Sequence, residues 1–165
     1  MNKKIVSLIA ALLVVLFALT ACQSKPADNN ATTVDPVTAV SAIVDGFYAA
    51  NSENLPASMP LDDDMMRDFY GMNPEWLTAY VCNVPMMNVH ATEIFVAHVK
   101  DGQMENVKAA LDARKASLDA TWSMYLPAQY ELVQNSITVE QNGFILFAVT
   151  EYTDSIKNIF EQKTK

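Results

Sequence analysis

The chain has 165 residues, a formal net charge of −8, 51% hydrophobic side chains and two cysteines. That length suits one domain plus a leader better than two domains. The acidic balance excludes the broad basic stripe by which a protein displaces counterions from nucleic acid or lies flat on anionic lipid.

The first element is an export signal. Lys3 and Lys4 form a positive start, and Ile5 to Leu19 form an apolar run. A spanning helix needs roughly 20 apolar residues to cross a core about 30 Å thick. This run is shorter and ends in small residues, Thr20 and Ala21, before Cys22. Leu19-Thr20-Ala21-Cys22 resembles the bacterial lipobox. That resemblance implies cleavage between Ala21 and Cys22 and a diacylglyceryl group, carrying palmitate-type chains, on the Cys22 sulfur. Two chains hold a protein on a membrane where one gives only marginal binding. The mature chain then carries nine basic against nineteen acidic residues, a formal charge of −10.

The organisation expected is a signal peptide over residues 1–21, a linker over 22–35 and a single domain over 36–163. The linker "QSKPADNNATTVDP" has almost nothing to bury and reads as flexible, with a reach of roughly 20 Å. Asp35-Pro36 marks a helix start. Val37, Val40, Ile43, Val44, Phe47 and Tyr48 then recur at helical spacing. Residues 51–60 read as a loop. "LDDDMMRDFYGMNPEWLTAY" reads as two short helices, capped by Asp62 or Asp63 and by Asn73, with Gly71 closing the first.

Strands are expected at Tyr80–Val84 and Thr92–Val99, followed by a long helix from Gln103 to Tyr125 that stops before Pro127. Two more strands, Leu132–Glu140 and Phe144–Thr150, flank Asn142-Gly143, a pair suited to a tight hairpin turn. Phe144–Val149 is apolar without alternation, as a strand buried on both faces would be. A last helix is capped by Asp154 and is followed by a frayed tail. The expected fold is therefore α+β, a mainly antiparallel four-stranded sheet with helices packed on one face.

Chemistry-bearing clusters are few. Cys82 has no disulfide partner once Cys22 carries lipid, and its apolar surroundings suit a small buried hydrophobe. Met86, Met87, His90, Glu93 and His98 lie close in sequence, and thioether plus imidazole suits Cu(I). Met86, Met87, His90 and His98 are thus a candidate metal set for a copper carrier or sensor. Two adjacent methionines in a strand would point to opposite faces, however. Asp62-Asp63-Asp64 lacks the alternation, glycine and distant glutamate of a calcium loop, and fits helix capping. There is no hydrolase elbow, no HExxH and no glycine-rich phosphate cradle. No cofactor motif is present. "TWSMYLPAQY" places aromatic residues at a helix end, where they seal a core or form a binding edge.

Several of these segments together resemble the bacterial lipoprotein family of unknown function DUF4358. The matching features are the turn Tyr70 to Pro74, "VPMMNVHATE" from Val84 to Glu93, "WSMYLPAQY" from Trp122 to Tyr130, and the Asn-Gly hairpin. Val84 stands where the family pattern has methionine. The resemblance runs from about Val37 onward and implies lipid-anchored proteins on the outer face of the cell membrane, mostly of Gram-positive bacteria. It brings no activity and no catalytic residues. The function expected is a non-enzymatic, lipid-anchored extracytoplasmic lipoprotein that binds an envelope protein or small ligand. The alternatives are the copper carrier or sensor and a hydrolase with an unrecognised site.

Overall fold

The computed structural model describes residues 34–165. The expected signal peptide, its expected cleavage between Ala21 and Cys22, and the expected linker up to residue 33 lie outside the described residues. Among the described residues no helix is long and apolar enough to cross a membrane.

Helix α1 spans Pro36–Asn51. Its start follows local chemistry: Asp35 accepts the Thr38 backbone N–H at 2.9 Å, and Pro36 has no N–H to leave unpaired. Ala39, Val40, Ile43, Val44 and Phe47 are buried, whereas Val37, assigned above to the same face, is exposed. The segment expected to be a plain loop contains strand β1, Ser58–Pro60. Helix α2, Asp63–Tyr70, is capped by Asp62 and ends at Gly71, whose φ of 60° suits a residue without a Cβ. The second expected short helix is a single 3-10 turn, Pro74–Trp76, capped by Asn73.

Strand β2 follows at once, Leu77–Pro85, and pairs with β3, Glu93–Val99. Helix α3 spans Met104–Trp122 and is shorter than expected. The chain turns at Leu126, in the left-handed region at φ 47°, and opens helix α4 at Pro127, running to Gln134. Leu132–Gln134 are therefore helical, and strand β4 begins only at Ile137 and ends at Gln141. Strand β5, Phe144–Val149, follows a turn in which Asn142 and Gly143 both have positive φ, as the hairpin requires. Helix α5, Thr153–Lys163, lacks a side-chain cap; Asp154 sits in its first turn instead of capping it. Its end does not fray: Thr164 is buried, and its carbonyl accepts from Asn142 Nδ2 at 2.8 Å.

The α+β class holds, but the sheet has five strands and not four. All are antiparallel, in the order β1-β2-β3-β5-β4. Helices cover both faces instead of one. Because strand side chains alternate, β3 sends Phe95, Ala97 and Val99 into a core with α2, α3 and α4. It sends Ile94 and Val96 the other way, against α1 and α5. Strand β5 divides likewise and all six of its residues are buried. A central strand without a polar face needs a helical layer on each side. At about 1.5–3 kcal/mol for each large apolar side chain taken from water, these two strands anchor both cores.

Candidate binding groove

Glu93 opens β3 on the α2–α4 side of the sheet and is only 3% exposed. A carboxylate there needs a partner, since an unpaired buried charge costs several kcal/mol. Arg114 supplies it from α3. Its Nε donates to Glu93 Oε2 at 3.0 Å and its Nη2 donates to Oε1, a two-pronged ion pair. The Tyr70 hydroxyl donates to Oε2 at 2.8 Å. The guanidinium also lies 5.2 Å from the Tyr70 ring centre and 5.7 Å from that of Phe69, within cation–π range.

The ionisation of this cluster follows from burial and its neighbours. Burial works against the Arg114 charge, yet the hydrogen bonds and charge of Glu93 outweigh it and hold the guanidinium more firmly protonated than usual. Burial above all pushes the Tyr70 phenol well above its ordinary range, and the charge of the Glu93 carboxylate to which it donates adds to the rise. Burial pushes the neighbouring Cys82 thiol up to about 12. A thiol held neutral in this way is a poor nucleophile, in accord with the core role read from its sequence surroundings.

Above this pair lies a groove of about 400 Å³ between the end of α2, the β2–β3 connection and α3. Phe69, Met86, Met87 and His90 form its rim, while Glu93 and Arg114 form its floor and Leu118 and Trp122 its far wall. The connection is tied at both ends. The Met86 N–H donates to the Ala57 carbonyl at 2.9 Å, and the Ala91 N–H donates to Gln129 Oε1 on α4 at 2.8 Å. Between them the His90 N–H reaches back to the Met87 carbonyl at 3.2 Å and closes a turn.

This turn overrides the strand argument made from the sequence. Strand β2 stops at Pro85, so Met86 and Met87 lie in a bend and both line the groove. His98 does not join them. It falls in register with Ile94 and Val96, on the opposite face of the sheet, and packs edge-on against Phe144 at 4.6 Å. The structure thus brings Met86, Met87 and His90 to one place and removes His98 from the set. Among the described residues no three His, Cys, Asp or Glu side chains are grouped to hold a metal ion.

The "TWSMYLPAQY" segment does two things. Trp122 is buried, while Met124, Tyr125 and Leu126 are exposed, Met124 at 94%. Tyr125 lies 5.8 Å from the Trp122 ring, and Leu126 shares a small hollow with Val89 of the β2–β3 connection. A larger cleft of about 610 Å³ between α4 and the β5–α5 corner has Glu131 and Glu151 on its lining and no large exposed apolar side chain.

Sequence reasoning missed Glu93–Arg114–Tyr70 as a unit. A signal existed. Arg114 interrupts the buried stripe Val107, Leu111, Leu118 and Trp122 at helical spacing, a position where a charge needs a buried counterpart.

A family model described as Domain of unknown function (DUF4358) matches residues 51–150. The chain belongs to this family. The matched span includes every residue named above as lining the groove. No curated protein and no solved structure matches the chain. This DUF4358 domain therefore takes its functional reading from its own surface.

Proposed function

We propose that this protein is a non-enzymatic lipoprotein, anchored through a lipid on Cys22 at the outer face of the cell membrane, that docks an apolar segment of an envelope partner in the groove. One observation carries the docking part. Seven large apolar side chains are exposed among the described residues, and six of them belong to the groove or the adjoining α3–α4 corner: Phe69, Met86, Met87, Met124, Tyr125 and Leu126. Such clustering is unusual for scattered surface hydrophobes and is typical of an interaction surface. Methionine is suited to it, because an unbranched thioether adapts to varied apolar partners. The groove volume also falls in the range of small-ligand sites, about 300–1,000 Å³, so a small apolar ligand is the second occupant to test.

The non-enzymatic part draws on the state of the reactive groups. The Glu93 carboxylate is engaged by Arg114 and Tyr70, and Cys82 is buried with its thiol held neutral. The lipid anchor rests on the Leu19-Thr20-Ala21-Cys22 pattern.

Site-specific photocrosslinking in intact cells tests the docking. A crosslinking side chain at Met87 or Phe69 should give a discrete adduct. The same probe at Val37, exposed but on α1, serves as the control. Adducts of equal yield from Val37, or none from Met87 and Phe69, would refute a docking groove.

A further inference from the structure

We infer that Met86, Met87 and His90 form a binding site for a soft monovalent metal ion, Cu(I). The inference goes beyond docking and needs no partner protein. Its basis is the turn that closes the β2–β3 connection. Pairing of the Met86 N–H with Ala57 and of the Ala91 N–H with Gln129 fixes the two ends of a short segment. Within that segment the Met87–His90 hydrogen bond joins the first and fourth residues of a turn. All three candidate ligands line one groove, and the two methionines are 64% and 59% exposed, so their sulfurs are open to an incoming ion.

Donor chemistry selects the metal. Thioethers bind soft ions well and hard ions poorly, and imidazole accepts both. The one carboxylate of the groove, Glu93, is engaged by Arg114 and Tyr70, so no oxygen set remains for calcium or magnesium. Zinc would want thiolate, imidazole or carboxylate ligands in greater number, and the described residues contain no such group of three. Binding of Cu(I) to two thioethers and an imidazole nitrogen requires no change in oxidation state.

Silver(I) titration of the full chain in detergent provides the test, with methyl-labelled methionine read by NMR and any free Cys22 thiol alkylated beforehand. Cu(I) under reductant, against a competing chelator, gives the affinity. The expected result is one ion per chain, with shifts at the methyls of Met86 and Met87 and at the His90 ring and none at Met124. The double variant Met86→Leu/Met87→Leu keeps the apolar volume and should lose affinity by more than about tenfold. Met124→Leu should leave it unchanged. No saturable binding, equal shifts at Met124, or undiminished affinity in the double variant would overturn the site. None of these outcomes bears on crosslinking from Met87 in cells, so the two proposals fail separately.

Discussion

Glu93 survives in the core because three hydrogen bonds meet its two oxygens. Removing one partner and removing both therefore have different consequences. Arg114→Met leaves a buried carboxylate with only the Tyr70 hydroxyl and should destabilise the domain by about 3–5 kcal/mol. Glu93→Leu/Arg114→Met replaces the pair by apolar volume and should recover most of that loss. Urea unfolding of both variants measures the difference; equal losses would show that the ion pair is not what balances Glu93. Neither partner stood out as a pair in the sequence. Glu93 and Arg114 are 21 positions apart, and no local rule links the first residue of a strand to the middle of the next helix. Only the packing of α3 on the sheet brings their charges into contact.

Among the secondary elements, the best-read boundaries are those made by residues within four positions of one another. Asp35 with Pro36, Asp62 with Met65, Gly71 with Arg67, Asn73 with Pro74, and Asn142-Gly143 all act as their side chains and φ preferences require. The misread elements lacked such local chemistry. Strand β1 is three residues ending in proline and exists because Met59 pairs with Val84 across the sheet. Leu132 and Val133 have an apolar character compatible with a strand, but Pro127 had already started a helix that carries them. Two glycines test this distinction. Gly143 sits at φ +81°, and a Cβ there would lie 3.2 Å from His98 Nε2, so Gly143→Ala should cost about 1–2 kcal/mol. Gly46 lies within α1, where a Cβ would make an ordinary 3.6 Å contact with Ile159, so Gly46→Ala should stabilise by about 0.4–1 kcal/mol. Thermal or urea unfolding should show opposite signs, and a shared sign would contradict the assignment of the turn.

For the molecule as a whole, the anchor and the groove make different demands on the chain. The proposed lipid anchor is a matter of processing, and its consequence would be a location. Cys22→Ala should abolish incorporation of a labelled fatty acid into the protein; metabolic labelling followed by immunoprecipitation would reveal it, and labelling equal to that of the natural chain would contradict the lipid reading. The groove, by contrast, belongs to the fold. Its rim comes from α2 and the β2–β3 connection, its floor from β3 and α3, and its far wall from α3.

The sequence by itself determined the α+β class, most helix starts, the hairpin turn and the central, doubly buried strand, since each depends on spacing, capping or turn preference over a few residues. It also determined which soft donors lie near one another along the chain. Tertiary structure alone decided the fifth strand, the helical layer on the second face, the pairing of Glu93 with Arg114, and which of the candidate ligands meet. The reason is geometric. A bend at Met86 turns two neighbouring side chains into one groove, while the two-residue period of β3 carries His98 to the far side of the sheet.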